Sequence, residues 1–323
     1  MFKNILTPGS YHGLHKKPPF FEGWYYKLVS ADEKHKLAII PGVILGQDAH
    51  SFVQVLEGVS GAAVFHRLPE REFTASPTRL DIRVGENHFD DRGLSLNIDR
   101  PEGRLHGSIQ LGPLNPWPVS LLSPGIMGWY AWVPGMECYH GVLSFDHDLQ
   151  GTLTLDGRRM DFSGGRGYIE KDWGQSFPSA WVWFQSNHFK EARACITASV
   201  AIIPWQRRSF RGFIVGLWHE RRLYRFATYT GAEIDALDIL PDHVRWVIVD
   251  KEHKLELIAR RAASGLILGP TRVEMGMRVN ETLLATVEAR LETRKGKIMF
   301  NEIGRNAGLE VQGDLERLQR GES

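Results

Sequence analysis

Two aromatic stretches of this sequence contain carboxylates that could act as acids. The first, Pro18–Val29, contains Glu22, and the second, Gly164–Phe184, contains Glu170 and Asp172. A carboxyl group surrounded by tryptophan, tyrosine and phenylalanine loses hydration, which favours its neutral, proton-donating form. The pattern therefore predicts an acid site suited to an apolar substrate. The alternative is a pair of aromatic-rich core strands whose carboxylates point to water, and composition alone favours that alternative.

Strand alternation would place three polar side chains of the second stretch on one surface. In an extended strand Tyr168, Glu170 and Asp172 point to one face, and the residues between them point to the other. Two neighbouring carboxylates repel each other, which favours retention of one proton by the pair. The alternative is that nearby cations match both carboxylates, and the candidates are Lys27, Arg166 and Lys171.

The motifs of several other chemistries are absent from the sequence. There is no Gly-x-x-x-x-Gly-Lys-Ser/Thr nucleotide loop, no Gly-x-Ser-x-Gly nucleophile elbow and no His-Glu-x-x-His zinc motif. The 13 histidines do not cluster at ligand spacing, so no metal site is predicted, and the isolated His140 is assigned a structural or surface role. The formal net charge of +1 provides no long-range field for nucleic acid or an anionic membrane.

The composition indicates an all-β protein. The 10 tryptophans favour strands, and the 33 glycines favour turns and bulges. The clearest hairpin is Gly151–Phe162, where Asp156 and Gly157 form a two-residue turn signal. Residues 282–292 contain good helix formers, but the neighbouring strand patterns favour a strand there. One short helical turn is predicted in the tail, Gly313–Ser323.

Between the predicted strands, residues 112–136 form a long segment rich in proline, glycine and tryptophan. We predict a loop, and long aromatic loops are often functional. The residues leave open whether it closes over a site as a lid or fills the core as a plug.

The length of 323 residues suits one large or two medium domains. We predict two, at 1–164 and 165–323. The N-terminus has no apolar core of the length of a signal peptide. The most apolar run, Leu37–Leu45, is too short to span a bilayer. A cytoplasmic location is therefore expected, with peripheral membrane contact left open. Two cysteines, Cys138 and Cys195, are too few for a disulfide framework.

Three parts of the sequence resemble the tocopherol cyclase family. They are His12-Gly13 with Pro19-Phe20-Phe21-Glu22-Gly23-Trp24-Tyr25-Tyr26-Lys27, then Gly167-Tyr168-Ile169-Glu170-Lys171-Asp172-Trp173-Gly174-Gln175-Ser176-Phe177-Pro178, and the tail Gly308–Leu315. The resemblance runs from near residue 9 to near residue 317. It implies two β domains, a sandwich and a lipocalin-like barrel, with a ligand cavity at or near their junction.

The resemblance also implies a reaction. In a prenylated hydroquinone, protonation of the alkene next to the phenol gives a tertiary carbocation, and attack by the phenol oxygen closes a chromanol ring. No cofactor and no metal is implied. Asp172 is the expected proton donor, with Glu170 and Glu22 as alternatives. Tyr168 and Tyr25 would orient the phenol. Aromatic side chains would line the cavity and face the cation, and the candidates are Trp24, Trp173, Trp181 and Trp183.

Two other functions fit the same residues. One is a lipocalin-like carrier that binds a hydrophobic small molecule without converting it. The other is a hydratase or pericyclase acting on an isoprenoid, since distant relatives of the family include such enzymes. All three functions predict a hydrophobic small molecule as the ligand and no nucleic-acid partner.

Overall fold

Antiparallel strands make up most of the structure. The computed structural model describes residues 2–191, 193–205 and 208–321. Within these ranges, 22 strands form two sheets, which confirms the all-β class. No helix in the described part of the chain is long and apolar enough to cross a membrane. The predicted cytoplasmic location and junction cavity stay predictions.

The chain passes three times between two compact units. The first unit comprises Met1–Phe177 and Gly265–Val279, and the second comprises Pro178–Ser264 and Asn280–Ser323. The sequence predicts a boundary after Gly164, whereas this division falls after Phe177. The physical reason is the next strand, Arg166–Gly174, which hydrogen-bonds between two strands of the first unit.

Twelve strands form the first sheet. They are β1 (Phe20–Val29), β2 (Lys36–Leu45), β3 (His50–Glu57), β4 (Ala63–Pro69), β5 (Phe73–Ala75), β6 (Asp81–Val84), β7 (Asn87–Asp90), β8 (Gly93–Arg100), β9 (Gly103–Leu111), β10 (Cys138–Leu155), β11 (Arg158–Asp161) and β12 (Arg166–Gly174). Their order is β4-β3-β2-β1-β12-β10-β9-β8-β7-β6-β5, with β11 on β10. Strand β12 therefore lies between β1 and β10.

The two ends of the first sheet share one core. The long strand β10 pairs with β12 through its first half and with β9 through its second half. Irregular pairing after Val142 and Ser144 bends it between the two. Tyr26 of β1 contacts Phe89 of β7, with ring centroids 5.4 Å apart. Buried apolar side chains from both halves of the sheet form a single cluster.

Ten strands form the second sheet. They are β13 (Ala180–Ser186), β14 (Cys195–Trp205), β15 (Arg208–His219), β16 (Arg222–Ala227), β17 (Glu233–Ile239), β18 (His243–Val249), β19 (His253–Arg260), β20 (Gly265–Pro270), β21 (Met275–Thr293) and β22 (Ile298–Gly313). Their order is β16-β15-β14-β13-β22-β21-β19-β18-β17, with β20 on β21.

The core of the second unit is centred on Trp246. This side chain is fully buried, and Phe184 of β13 and Phe213 of β15 meet it edge-on at centroid distances of 6.3 and 6.0 Å. Because β18 and β13–β15 are far apart in the strand order, these contacts join opposite parts of the sheet. Large buried aromatic rings contribute much of the stability of such a core.

Helices are short in both units. They are α1 (Phe2–Ile5), α2 (Leu315–Arg320) and the 3-10 segments Glu70–Glu72, Gly125–Trp132 and Thr228–Thr230. The side chain of Asp314 caps α2 by accepting the backbone N–H of Arg317 at 3.1 Å, and Gly321 ends it in the left-handed conformation. The predicted helical turn in the tail is thus confirmed.

Two local predictions are also confirmed. The hairpin β10–β11 turns at Asp156 and Gly157, whose φ angles of 48° and 82° are both positive, as a type I′ turn requires. Residues 282–292 belong to strand β21. The neighbouring strands overrode the helix propensity of this segment, because buried apolar side chains at every second position alternate there with half-exposed or exposed, mostly polar residues.

Candidate active site

Strand β12 places the predicted acids between two neighbours. Tyr168, Glu170 and Asp172 lie on one face of β12, as alternation predicts. Tyr25 of β1 is the direct cross-strand partner of Glu170. His140 of β10 is the partner of Asp172 on the other side. Four of these side chains form what we call the acid row: Tyr168, Glu170, His140 and Asp172.

The acid row is joined by short polar contacts. The Tyr168 hydroxyl donates a hydrogen bond to Glu170 Oε2 at 2.5 Å. His140 Nδ1 lies 2.9 Å from Asp172 Oδ1, and its Nε2 lies 3.6 Å from Glu170 Oε2. The Glu170 side chain is 6% exposed and that of Asp172 is 27% exposed. The row therefore leads from a half-exposed carboxylate, through an imidazole, to a buried one.

Two further side chains border the acid row. Lys27 is the cross-strand partner of Tyr168 and is buried. The Cys138 thiol donates to Asp172 Oδ1 at 3.9 Å. Burial raises the pKa of this thiol well above its usual value, and the charge of Asp172 adds to the effect. Cys138 is therefore a neutral thiol and a weak hydrogen-bond donor at neutral pH.

The opposite face of the same strands holds a buried ion pair. Lys171 Nζ lies 2.5 Å from Glu22 Oε1, and both side chains are fully buried. Lys171 also donates to the carbonyl oxygens of Pro8 (3.0 Å) and Ser10. Glu22 accepts the backbone N–H of His12 at 3.0 and 2.9 Å from its two oxygens. The pair thus fastens the N-terminal segment to the sheet.

Aromatic rings enclose the Lys171 ammonium. It lies 4.8 Å from the ring centroid of Trp24 and 4.7 Å from that of Trp173. His12 stacks on Trp173 at 4.3 Å, and its Nδ1 lies 2.7 Å from Lys171 Nζ. Its Nε2 lies 3.0 Å from the carbonyl oxygen of Asn4. This network binds a cation of the protein itself, through cation–π contacts and hydrogen bonds.

The structure thus separates the predicted site residues. Tyr168, Glu170 and Asp172 share one face, as alternation predicts, and Tyr25 of β1 lies on the same face. Glu22, Trp24 and Trp173 lie on the other face, where they surround Lys171. Because its oxygens are held by an ammonium and a backbone N–H, Glu22 is a poorer acid candidate than the acid row, and the substrate-binding roles of Trp24 and Trp173 stay predictions.

Trp181 and Trp183 lie on β13 of the second unit and are buried. The indole N–H of Trp181 donates to Glu310 Oε2 at 2.6 Å. Both side chains point away from the core cluster of that unit, which contains Val182 and Phe184 instead. Their predicted role in substrate binding stays a prediction.

Lys171 is expected to titrate far from an ordinary lysine. Burial lowers its pKa from 10.5 to about 8, and the charge of Glu22 opposes the shift. Between these two values the unfolded chain keeps a proton that the folded chain has released, so the contribution of Lys171 to the free energy of unfolding rises with pH across this window. In a nuclear magnetic resonance titration with carbon-13-labelled lysine, one side-chain signal should have its midpoint near pH 8.

The variant Lys171→Met should lack that signal, which provides the assignment. If the signal lost in this variant titrates together with the other lysines, the ammonium is more solvated than its burial implies.

The His12 imidazole is affected by the same surroundings. Burial lowers the pKa of His12, and the charge of the nearby Lys171 lowers it further. A neutral His12 fits its contacts, since Nδ1 can accept from Lys171 while Nε2 donates to Asn4.

The interpretation of His140 as an isolated histidine is wrong. No strand is predicted from the sequence over residues 138–150, which contain two histidines and two aspartates. In the structure β10 begins at Cys138 and runs beside β12, which brings His140 to both carboxylates. A strand predicted over Cys138–Val142 would have placed His140 on the same face as Cys138 and Val142. Its contact with Asp172 could still not be predicted, because that contact depends on β10 lying beside β12 in the sheet.

The acid row can do two kinds of chemistry. As a set of proton carriers it can hold a proton beside a buried carboxyl group. As a donor set, His140, Glu170 and Asp172 offer ligand atoms that all lie within 4.8 Å of one another, which is close enough for a metal ion. The contact between His140 Nδ1 and Asp172 needs no metal, because a protonated imidazole nitrogen and a carboxylate satisfy each other.

Comparison with known families supports the resemblance seen in the sequence. The tocopherol cyclase-like family model matches residues 99–313, which include β12 and β13. A probable chloroplastic tocopherol cyclase of Oryza sativa subsp. japonica is 29% identical over 198 residues, covering 58% of this chain and 42% of that protein. A chloroplastic tocopherol cyclase of Zea mays is 26% identical over 204 residues, covering 58% and 41%. This chain thus matches less than half the length of either plant relative.

Solved structures share the fold at low identity. CghA superposes with a TM-score of 0.58 at 12% identity, covering 92% of this chain and 89% of CghA. Kievitone hydratase from Nectria haematococca superposes with a TM-score of 0.51 at 12% identity, covering 94% of each chain. Likeness at this identity is evidence for the fold alone.

Proposed function

Because this chain belongs to the tocopherol cyclase-like family, we propose that it is an enzyme that closes the ring of a prenylated hydroquinone by acid catalysis. The product would be a chromanol. The observation that carries the proposal is the acid row, in which one imidazole contacts two carboxylates and a tyrosine contacts the deeper one. General acid catalysis needs a carboxyl group that can hold a proton and is shielded from water.

We assign the role of proton donor to Glu170. Asp172 and His140 would supply the proton to Glu170. Asp172 is the more exposed carboxylate, so it exchanges protons with water more readily than Glu170. It orients His140 through Nδ1 and leaves Nε2 directed towards Glu170 at 3.6 Å. Contacts of this length often tighten when a substrate binds. This order reverses the expectation from the sequence, which ranked Asp172 before Glu170.

The reaction balances with no other reagent. Protonated Glu170 gives its proton to the less substituted alkene carbon, and the positive charge forms on the tertiary carbon. The phenol oxygen attacks that carbon, a C–O bond forms, and the phenol proton returns to the Glu170 carboxylate. Substrate and product are isomers, so the row ends the cycle with the proton it began with. Tyr168 donates a hydrogen bond to Glu170 and would orient the phenol.

The face of Tyr25 is the candidate for stabilising the carbocation. Tyr25 is the cross-strand partner of Glu170, and the faces of aromatic rings attract cations. Trp24 and Trp173 already surround the Lys171 ammonium on the other face. The cation would therefore form beside a tyrosine rather than beside these tryptophans.

The test is conversion of a substrate panel. The purified protein is incubated with hydroquinones that differ in prenyl length and ring methylation, and products are identified by retention time and mass. We expect an isomer of unchanged mass. A product heavier by one water would identify a hydratase instead. Tight binding across the panel without any product would identify a carrier and would overturn the proposed enzyme.

A further inference from the structure

The segment between β9 and β10 differs in charge from the rest of the chain. From Gly112 to Met136 there is no aspartate, glutamate, lysine, arginine or histidine, whereas charged residues make up 24% of the whole sequence. Several of its apolar side chains are nevertheless exposed. Surfaces that are apolar and free of charge are typical of sites that bind a protein or a membrane.

The most exposed part is a two-leucine turn. Leu121 and Leu122 are 69% and 88% exposed. The turn is closed by backbone hydrogen bonds in both directions between Ser120 and Ser123, at 3.1 and 3.2 Å. The indole N–H of Trp132 donates to the carbonyl oxygen of Leu121 at 3.0 Å. The leucines are therefore held outward by a closed turn.

A tryptophan in the same segment is also exposed. Trp129 is 47% exposed and stacks on Tyr130, with ring centroids 4.1 Å apart. Tryptophan and tyrosine are the side chains enriched at the boundary between hydrocarbon and water, because their rings are apolar and their N–H or O–H groups are polar. We call Leu121, Leu122 and Trp129 together the apolar tip.

The base of the segment is packed into the first unit. Trp117 is buried and stacks on Phe145 of β10 at 5.5 Å. The backbone N–H of Asn115 donates to the Ser144 hydroxyl at 3.1 Å. The Tyr139 hydroxyl donates to the carbonyl oxygen of Val133 at 2.6 Å. Because the base is well packed, exposure of the tip is a feature of the folded state.

We propose that the apolar tip docks the protein on a lipid bilayer by inserting Leu121, Leu122 and Trp129 among zwitterionic lipids. A bilayer fits because insertion desolvates no charged group of the segment, and two adjacent leucines on a closed turn can enter the acyl boundary. Zwitterionic lipid suffices because the segment has no basic residue to recognise an anionic headgroup. The surface is thus a hydrophobic anchor without an electrostatic part.

The docking surface lies close in sequence to the acid row. The segment ends where β10 begins, and Tyr139, which holds the carbonyl oxygen of Val133, precedes His140. A prenylated hydroquinone has an apolar tail and partitions into bilayers. This part of the argument rests on the proposed function, since it explains why an enzyme with such a substrate would dock there.

The test is co-sedimentation with phosphatidylcholine vesicles. We expect the double variant Leu121→Ser/Leu122→Ser to lower the partition coefficient about 100-fold, because burial of one leucine side chain changes an equilibrium constant about tenfold or more. The matched control is Val59→Ser/Leu240→Ser, which removes two other exposed apolar side chains from turns (50% and 43% exposed) and should bind like the unchanged protein. Vesicles with brominated acyl chains should quench part of the tryptophan fluorescence of the unchanged protein. This quenching should be absent in Trp129→Phe.

Three results would overturn the proposal. One is equal vesicle binding by the tip variant and the unchanged protein. Another is binding that requires anionic lipid and disappears at high salt, which would indicate an electrostatic contact. The third is a tip-dependent dimer without affinity for vesicles, which would identify a second copy of the chain as the occupant. Circular dichroism of both double variants shows whether the fold is retained.

The docking and the enzyme activity can fail independently. If vesicle binding depends on the tip but no hydroquinone is converted, the docking stands and the proposed function fails. If a short, water-dispersed hydroquinone is converted equally by the tip variant and the unchanged protein, and neither binds vesicles, the function stands and the docking fails. If both the docking and the proposed function hold, the tip variant should convert substrate presented in vesicles more slowly than the unchanged protein does. It should convert water-dispersed substrate at the same rate.

Discussion

Replacement of Glu170 by glutamine is expected to lower the rate of ring closure about 10²- to 10⁴-fold, which is the usual contribution of a general acid. The amide keeps the size of the side chain and can still accept from Tyr168, but it has no proton of suitable acidity to give. The measurement is kcat for the best substrate of the hydroquinone panel. Binding of the substrate should change little, because the loss occurs in the proton-transfer step.

Asp172→Asn should behave differently from Glu170→Gln. It leaves the donor in place but removes the carboxylate that orients His140, so we expect a smaller loss of rate and a displaced pH–rate profile. Glu57→Gln is the matched control, since Glu57 is another buried carboxylate of the first unit, paired with Arg158 at 3.3 Å. Full turnover by both acid-row variants would rule out this row as the source of the proton.

Replacement of Lys171 by methionine is expected to destabilise the first unit by about 3–5 kcal/mol, because it leaves the fully buried Glu22 without its partner. It also removes the donor that holds Pro8 and Ser10. The measurement is the denaturant dependence of hydrogen exchange at backbone amides of β1 and β12. This method reports on one unit even when the whole chain does not unfold in a single step.

The double variant Glu22→Gln/Lys171→Met should recover part of the loss, since it leaves no unpaired buried charge. The control is Lys34→Met, which breaks an exposed ion pair with Asp32 (3.2 Å) and should change stability little. If Lys171→Met were as stable as this control, the buried pair would contribute nothing beyond its packing. A large loss of stability with full activity in the remaining folded protein is the expected signature of a structural pair.

Local rules predicted much of this fold. The positive φ angles that a two-residue turn needs suit aspartate and glycine, so the hairpin at Asp156-Gly157 could be read from the sequence. Strand alternation likewise placed Tyr168, Glu170 and Asp172 on one face without knowledge of the neighbouring strands. Each of these features depends only on residues close together in the chain.

Features that depend on strand order could not be predicted in this way. Glu22 and Lys171 meet because β1 lies beside β12, although 148 intervening residues separate them in the chain. His140 meets Asp172 because β10 lies on the other side of β12. A single sequence contains no direct signal for register between distant strands. The sequence therefore offers Lys171 only as one of three possible cations for Glu170 and Asp172, and it indicates no site for His140.

The threefold passage of the chain between the two units has a consequence for how such a protein can be divided or recombined. A fragment that ends at Phe177 lacks Gly265–Val279, which belongs to the same unit. The last of the three crossings falls inside β21, a continuous strand from Met275 to Thr293. Exchange of one unit between related genes therefore needs more than one junction, one of them within a hydrogen-bonded strand. A single crossover after Phe177 would leave the first unit with segments from both parents, so one crossover cannot exchange one unit alone.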